Sequence, residues 1–175
     1  MSERAHFKPY ALFEALARER VSYVVIGGFA RVVHGSGERT EGLDIVPSLR
    51  EENLRRLGRA LDHVDAAGPT GGAEALETLV AGEPLRLETS AGTLTMVPTP
   101  WGTRGYDELR IRANRENLGQ AVRPPIASLV DLTRMLEASQ RAEDIERLQR
   151  LRRMMELEHQ LTHSHRLSRD RGIDL

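Results

Sequence analysis

The chain has 175 residues, 39% of them hydrophobic, and this length favours a single domain with a sizeable core. Its formal net charge is −1, so no overall field favours nucleic acid or a membrane surface, and the absence of cysteine excludes disulfides and thiolate zinc sites. The N-terminus lacks an apolar signal region, and no apolar run reaches the roughly 18 residues of a membrane span. We therefore expect a cytoplasmic protein with no membrane partner.

The first third of the chain predicts a helix, a strand, a glycine turn, a short helix and a second strand. Residues 8–21 form an amphipathic helical pattern, and Tyr23–Ile26 reads as a buried strand. Gly27 and Gly28 follow at once. Two explanations stay open for them: a phosphate group approaches the backbone there, or the glycines only make a tight strand–helix connection. Asp44 is the lone carboxylate in the apolar second strand, residues 43–46, where it is either a site residue or a strand-end residue at the surface.

The middle of the chain predicts two helices and a β-hairpin. Ser48 and Glu51 have the spacing of a capping box that opens a helix to about residue 63, and a loop over residues 66–72 leads to a second helix over residues 73–80. Residues 85–97 alternate in the manner of a hairpin. If Ala91 and Gly92 form a two-residue turn, Glu88 lies opposite Thr95, whereas a longer turn would shift this register.

The last third predicts mainly helix. We expect a loop over residues 98–106, a short edge strand over residues 117–122 and a helix from Ser128 to about Ser139, with Asp131 completing its cap. A final helix over residues 142–163 has an apolar side formed by Ile145, Leu148, Leu151, Met155 and Leu157. The predicted fold class is therefore α/β, a small mixed sheet flanked by helices (residues 1–125), with a helical C-terminal part packed on it (126–163) and a charged, loose tail (164–175).

An ordered set of residues now indicates a family. Gly27-Gly28 is followed by Ala30, His34-Gly35, Arg39-Thr40 and Leu43-Asp44-Ile45, and the hairpin that ends in Thr95-Met96-Val97 precedes Pro100-Trp101-Gly102. Together with the two C-terminal helices, this order resembles the polymerase-beta-type nucleotidyltransferase fold. More narrowly, it is similar to the small bacterial nucleotidyltransferases grouped with abortive-infection and toxin–antitoxin proteins.

The resemblance also implies a metal site, and this chain departs from it. The family holds divalent metal with two aspartates spaced D-x-D on one strand and a third on a neighbouring strand, but here those positions are Gly42, Asp44 and Thr95. Two of the three expected carboxylates are absent, so Mg²⁺ is a doubtful cofactor with Asp44 as a weak ligand. Asp44 is either a metal ligand or a remnant of one. Glu88 either supplies a missing carboxylate or is a solvated strand residue paired with a nearby arginine.

Three functions follow as hypotheses. The first is a nucleotide-binding or regulatory protein with impaired catalysis, with Gly27, Gly28, Arg39 and Thr40 toward the nucleotide; Arg39 and Thr40 would otherwise only brace the loop. The second is an active, Mg²⁺-dependent nucleotidyltransferase that moves a nucleotide from an NTP to RNA or protein with Asp44 and Glu88. The third is an interaction module without nucleotide, paired with a cognate antitoxin-like protein.

Overall fold

A computed structural model describes residues 6–66 and 71–170, which form six strands and seven helices. The strands are β1 (Tyr23–Ile26), β2 (Gly42–Pro47), β3 (Leu85–Thr89), β4 (Gly92–Met96), β5 (Asn114–Arg115) and β6 (Pro125–Ile126). The helices are α1 (Pro9–Arg18), α2 (Gly27–Val33), α3 (Glu51–Asp62), α4 (Gly71–Val80), α5 (Tyr106–Arg112), α6 (Leu129–Ser139) and α7 (Asp144–Asp170). The predicted fold class is confirmed: helices flank one small sheet, and the C-terminal part is helical.

The sheet is mixed and has the strand order β3-β4-β2-β1-β6-β5. β1 pairs with β2 antiparallel and with β6 parallel, while β2 pairs with β4 parallel. The two hairpin pairs, β3–β4 and β5–β6, are antiparallel and lie at opposite edges. β2 and its neighbours β1 and β4 therefore occupy the middle of the sheet. Asp44 lies on β2.

The core surrounds these central strands. All four residues of β1 are buried, so both faces of the sheet are covered there, whereas β3 alternates between buried and exposed residues. Helix α3 packs against both α1 and α4, and α4 packs against β3. Helix α2 packs against β1, β2 and α6. On the outer face of β3, the side chains of Arg86 and Glu88 are exposed.

One of the two predicted helix caps is confirmed and the other is wrong. Ser128 caps α6, since its hydroxyl oxygen accepts a hydrogen bond from the amide of Asp131. Ser48 does not cap α3, which begins later, at Glu51, and has no side-chain cap. Ser48 is instead buried, and its carbonyl oxygen accepts a hydrogen bond of 2.8 Å from the side-chain amide of Asn53. A buried tertiary contact takes the place of the local capping motif.

The connection from α5 to β6 also differs from the prediction. Residues 117–122 were expected to form an edge strand, but they form a turn in which Gly119, Gln120 and Ala121 have positive φ. The strands are instead the short pairs β5 and β6, on either side of that turn, and helix α5 was not predicted at all. Three consecutive residues with positive φ cannot continue a strand, so the pairing moves outward to the flanking residues.

The last helix is longer than predicted and less buried. α7 extends to Asp170, so residues 164–170 are helical where a loose tail was expected. Leu151 is buried, but Ile145 and Leu157 are 57% and 58% exposed, because α6 covers only one side of α7. Residues 67–70 of the predicted loop and residues 171–175 of the predicted tail lie outside the described residues. Among the helices described, none is both long and apolar enough to cross a membrane.

Candidate functional site

The carboxylate of Asp44 lies directly against the backbone of Gly27. The register of β1 and β2 pairs Ile26 with Asp44, which brings the end of β1 beside the carboxylate. A Cβ atom at Gly27 would lie 2.2 Å from Asp44 Oδ2, and Gly27 has a φ of +67°. Both the left-handed conformation and the close approach therefore require glycine at this position. The strand–glycine–helix pattern in the sequence thus positions one acidic group beside a bare turn of backbone.

Arg86, Thr95 and Asp44 form a row across three strands. Thr95 on β4 pairs with Asp44 on β2 and with Arg86 on β3. Residues that pair directly project from the same face of a sheet, so all three side chains share one face. The hydroxyl of Thr95 hydrogen-bonds to the carboxylate of Asp44, and Arg86 attracts it electrostatically. We call this surface, formed by Asp44, Thr95, Arg86, Thr93 and Glu88, the Asp44 face.

The predicted register of the hairpin is wrong, and Glu88 does not lie opposite Thr95. The turn consists of Ser90 and Ala91, because Thr89 pairs with Gly92. The hydroxyl of Thr89 both accepts from the amide of Ala91 and donates to the carbonyl oxygen of Gly92, which holds the turn one residue earlier than expected. This difference moves every cross-strand pair by two residues and brings an arginine, in place of the expected carboxylate, opposite Thr95.

Glu88 lies one row away from Asp44 on the same face. Its partner is Thr93, which donates a hydrogen bond of 3.0 Å to the carboxylate and pairs on its other side with Gly42. Arg86 Nε is 3.6 Å from the same carboxylate. Glu88 and Asp44 are two strands and two residues apart, which corresponds to roughly 12 Å between Cα atoms. The contacts of Glu88 are those of an exposed strand residue with polar neighbours.

A buried ion pair closes the other side of the site. Arg31 on α2 donates two hydrogen bonds to the carboxylate of Glu38, at 2.9 and 2.7 Å, and Ser36 donates a third. The two charged side chains are only 9% and 15% exposed. Glu38 also approaches Gly28, where a Cβ atom would lie 3.2 Å from its Oε1. The loop after α2 is thereby folded back over the glycine turn.

The two loop residues that the sequence offered as phosphate contacts are placed differently from each other. Thr40 donates a hydrogen bond of 2.9 Å to the carbonyl oxygen of Gly42, which braces the start of β2, although its hydroxyl also lies near Gly28. Arg39 is exposed and has no hydrogen bond or ion pair with any other described residue. Arg39 is therefore available to an external anion, while Thr40 already has a structural partner.

The charges around the site have opposite effects on its two acids. Burial raises the pKa of Asp44 above its ordinary value, and the hydrogen bond from Thr95 and the charges of Arg31 and Arg86 offset this only in part. Burial also acts on Glu38, but the hydrogen bonds from Arg31 and Ser36 outweigh it and lower the pKa of Glu38. Arg147 on α7 adds to the positive potential at Glu38. The surroundings of Glu38 thus favour its ionised form, whereas burial disfavours the ionised form of Asp44.

The side chains present do not fit a tightly held Mg²⁺. That ion requires oxygen ligands in octahedral geometry and is usually held by one or two carboxylates together with substrate phosphates. Of the three positions expected to carry the carboxylates, only Asp44 has one, and the other two are Gly42 and Thr95. Within residues 6–66 and 71–170, no group of three or more acidic or imidazole side chains is arranged to hold a metal. Arg31 and Arg86 also oppose a cation at Asp44.

Gly42 has a steric reason to be glycine in this fold. A Cβ atom there would lie 2.9 Å from the backbone oxygen of Thr93 and 3.2 Å from its Cβ. An aspartate at position 42 would force the β2–β4 pairing to shift. Glycine therefore fits position 42 without displacing Thr93.

Three residues of the site were not identified from the sequence: Arg31, Glu38 and Arg86. Arg31 follows Gly28 by three residues on a helix, so its side chain projects back over the turn. This spacing is a local signal from which Arg31 could have been identified. Glu38 gave no signal, because its role depends on how the loop folds. The position of Arg86 depends on the hairpin register. A two-residue turn can begin at more than one residue here, so the sequence leaves that register open.

Comparisons with known proteins place the chain by its fold. No protein-family model matches it, and no curated protein matches its sequence. Its structure is similar to a candidate nucleotidyltransferase from Thermotoga maritima (TM1012), with a TM-score of 0.50 and 14% identity over 86% of this chain and 96% of that chain. The antibiotic-resistance factor ANT(2'')-Ia also matches, with a TM-score of 0.46 and 13% identity over 90% of this chain and 95% of that chain.

The chain therefore has a nucleotidyltransferase-like fold. At 14% identity, the similarity to the Thermotoga protein concerns the arrangement of the sheet and helices. The fold resemblance drawn from the glycine turn and the strand that carries Asp44 is confirmed.

Proposed function

We propose that this protein binds a nucleotide on the Asp44 face and is a catalytically impaired member of its fold class. The observation that supports this most is the row of Arg86, Thr95 and Asp44. Nucleotidyl transfer needs a further carboxylate to hold metal. In this row β4 instead carries the hydroxyl of Thr95, and β3 carries the guanidinium of Arg86. A guanidinium neutralises phosphate charge directly, so this arrangement favours binding a nucleotide without a resident metal.

Two exposed arginines, Arg86 and Arg39, are available for nucleotide phosphate. The side chain of Arg86 is 71% exposed and makes only a weak pair with Glu88, and Arg39 has no described partner. Gly27 and Gly28 have no side chains of their own, and the carboxylates of Asp44 and Glu38 lie against them. Arg31 is less available, because Glu38 already occupies its guanidinium. We therefore assign the phosphate contacts to Arg86 and Arg39 and a supporting role to the pair of Arg31 and Glu38.

A thermal-shift measurement tests nucleotide binding. ATP, CTP, GTP and UTP are added separately, each with and without Mg²⁺ or Mn²⁺. We expect at least one of them to raise Tm equally with and without metal, and we expect Arg86→Gln to reduce that shift. Arg55→Gln is the matched control, because Arg55 is an exposed arginine of α3 with acidic neighbours. A shift that depends strictly on metal would contradict the impaired site, and no shift with any nucleotide would contradict nucleotide binding.

The competing hypothesis, an active transferase, has its own assay. Transfer of a labelled nucleotide to RNA or to protein, abolished by Asp44→Ala, would establish the enzyme. A constructive variant sharpens the result: Thr95→Asp combined with Arg86→Gln adds a carboxylate beside Asp44 and removes the opposing cation. Metal binding should then appear. Gly42→Asp is a poorer choice for this purpose, since the backbone of Thr93 leaves no room for its side chain.

The resemblance to the toxin–antitoxin group supports a regulatory role with a cognate protein as partner. Proteins of that kind are encoded beside their antidotes, so co-expression with the product of the adjacent gene is the direct test. A stable complex together with nucleotide-dependent stabilisation supports the regulatory role in full. A complex without any nucleotide effect favours the third hypothesis, an interaction module that does not bind nucleotide.

A further inference from the structure

A second concave surface lies on the other side of the sheet. A cavity of about 790 Å³ is bounded by α1, α5 and the segment of residues 113–125. Tyr23 lies within it, three residues before the partner of Asp44 on β1, and side chains an odd number of positions apart on a strand face opposite ways. The cavity therefore opens away from the Asp44 face. Its volume is within the roughly 300–1,000 Å³ typical of small-ligand pockets.

Tyrosines and arginines make up seven of the eighteen residues that line this cavity. All three tyrosines of the chain line it, together with four arginines and a single carboxylate, that of Glu14. The tyrosines are Tyr10, Tyr23 and Tyr106, and the arginines are Arg20, Arg110, Arg115 and Arg123. Only 4% of the chain is aromatic, so the tyrosines are concentrated here rather than spread over the core. We call this surface the tyrosine–arginine cleft.

The arginines of the cleft carry charge that the protein does not neutralise. Arg20 and Arg123 form no side-chain hydrogen bond or ion pair with any residue in the described part of the chain. Arg115 donates one bond of 3.3 Å, to the carbonyl oxygen of Arg123, and it has no described acidic partner. Arg110 is the exception, since its guanidinium is 3.3 Å from Asp107. Three guanidinium groups thus remain available to an anion from outside.

The tyrosines offer both ring surface and polar groups. Tyr10 is 39% exposed, and its hydroxyl donates a hydrogen bond of 2.5 Å to the carbonyl oxygen of Leu118, which fixes the ring at the wall of the cleft. Tyr23 lies at the buried floor, and its hydroxyl has no hydrogen-bond partner in the described part of the chain. A planar group stacks on an exposed tyrosine ring, and a free hydroxyl provides a donor for a polar edge.

We propose that the tyrosine–arginine cleft binds nucleotide units, with phosphate on Arg20, Arg115 and Arg123 and a base against Tyr10. Unneutralised arginines beside exposed aromatic rings are the combination that single-stranded nucleic acid and nucleotides require. The same chemistry is present in a free nucleotide and in a single-stranded RNA. This second site goes beyond the proposed function, because it uses none of the residues of the Asp44 face.

Binding experiments on the intact chain test the cleft. A fluorescein-labelled single-stranded oligouridylate is titrated by anisotropy, and AMP and inorganic phosphate are titrated by calorimetry. We expect the oligonucleotide or AMP to bind, and we expect Arg123→Ala and Arg20→Ala each to weaken binding by about tenfold, the usual size for a lost charged hydrogen bond. Tighter binding of the oligonucleotide identifies a strand as the ligand, and equal affinity identifies a free nucleotide.

Two pairs of variants make the test specific. Tyr10→Phe and Tyr10→Leu both remove the hydrogen bond to Leu118, but only the second removes the ring, so binding should be weaker in Tyr10→Leu. Arg55→Ala, on the exposed side of α3, should leave affinity unchanged. The proposal is overturned if neither nucleotide ligand binds, if inorganic phosphate binds as tightly as AMP, if the two Tyr10 variants are equal, or if Arg55→Ala weakens binding as much as Arg123→Ala.

The two nucleotide proposals fail separately. Oligonucleotide binding at the cleft should depend on Arg123, whereas the Tm shift caused by nucleoside triphosphates should depend on Arg86. If Arg86→Gln removes all nucleotide binding while Arg123→Ala has no effect, the cleft proposal is wrong and the Asp44 face stands alone. If the oligonucleotide binds through Arg123 while no nucleoside triphosphate shifts Tm through Arg86, the proposed function is wrong and the cleft remains.

Discussion

The Asp44 face and the tyrosine–arginine cleft both contain arginines, but their arginines have different partners. Arg31 is fully engaged with Glu38 in a nearly buried pair, and Arg86 has Glu88 beside it. Arg20 and Arg123 have no acidic partner in the described part of the chain. An arginine with an internal carboxylate stabilises its own loop, whereas an arginine without one adds little to stability and remains free for a ligand. Variants that separate stability from binding therefore distinguish the two regions.

The largest difference should come from removing one arginine from each region. Arg31→Met leaves the carboxylate of Glu38, whose side chain is only 15% exposed, without its ion-pair partner. Losing one partner of a buried pair costs about 4 kcal/mol of unfolding free energy. Arg123→Met should change it by no more than about 0.5 kcal/mol. Urea unfolding of the two variants measures both values. Adding Glu38→Gln to Arg31→Met should recover part of the loss. Equal losses for Arg31→Met and Arg123→Met would contradict the difference in stabilising role between the two arginines.

A pair of glycines gives the next largest contrast. At Gly27, an added Cβ meets Asp44 Oδ2 at 2.2 Å in a backbone with positive φ, so Gly27→Ala should lower the unfolding free energy by about 3 kcal/mol. Gly119, beside the cleft, also has positive φ, but its nearest atom is the Tyr10 hydroxyl at 3.9 Å. Gly119→Ala should then cost only about 1 kcal/mol of backbone strain. Thermal unfolding checks both, and a smaller loss at Gly27 than at Gly119 would show that Asp44 moves aside freely.

The two acids of the Asp44 site should have opposite effects on the pH dependence of stability. Burial raises the pKa of Asp44, so its ionisation opposes folding once the pH exceeds the pKa of an unfolded aspartate. Asp44→Asn should therefore raise Tm at neutral pH and have no such benefit in acid. Despite its burial, Glu38 has a lowered pKa because of Arg31 and Ser36, so its ionised form stabilises the fold above the ordinary glutamate range.

That second contribution is lost as the pH falls through the lowered pKa of Glu38. Glu38→Gln should accordingly lower Tm at neutral pH, with the difference shrinking in acid. Tm values of the parent and both variants between about pH 3 and pH 8 provide the measurement. If Asp44→Asn destabilises the protein at neutral pH, the ionised carboxylate contributes to stability, and burial does not disfavour its ionisation as expected.

The smallest expected effect concerns the single carboxylate of the cleft. Glu14 is exposed and has no described partner, so Glu14→Gln should change the unfolding free energy by less than about 0.5 kcal/mol. Removal of one negative charge beside the arginines should nevertheless strengthen oligonucleotide binding by about twofold to threefold at low salt. Anisotropy at two salt concentrations measures this gain. Glu83→Gln, at an exposed position outside the cleft, serves as the control. An equal gain in affinity for that variant would show that the effect comes from net charge alone.

Local patterns predicted most of the fold. The continuous apolar run of Tyr23–Ile26 and the cap at Ser128 are short-range signals, and each was interpreted correctly from neighbouring residues. The cap at Ser48 and the edge strand over residues 117–122 were wrong. In the first case a buried bond to Asn53 replaced the local motif, and in the second three residues with positive φ displaced the pairing.

The composition of the Asp44 face depended on register, and local alternation does not determine register. Shifting the hairpin turn from Ala91-Gly92 to Ser90-Ala91 preserves which residues of β3 are buried, because the change is two residues, yet it exchanges Glu88 for Arg86 opposite Thr95. The same alternating pattern thus fits two sites of opposite charge. The hydroxyl of Thr89 decides between them through two hydrogen bonds in the turn.

The sequence by itself determined the nucleotidyltransferase-like fold, the bare glycine turn and the isolated carboxylate of Asp44, since these depend on residue types at fixed short spacings. Only the tertiary structure decided which charges surround that carboxylate and that Arg31 is occupied by Glu38. It also gathered Tyr10, Tyr23 and Tyr106 beside unpaired arginines, from positions almost 100 residues apart. The physical reason is that pairing register and helix packing bring distant segments together, and short-range periodicity carries no information about which distant segments will meet.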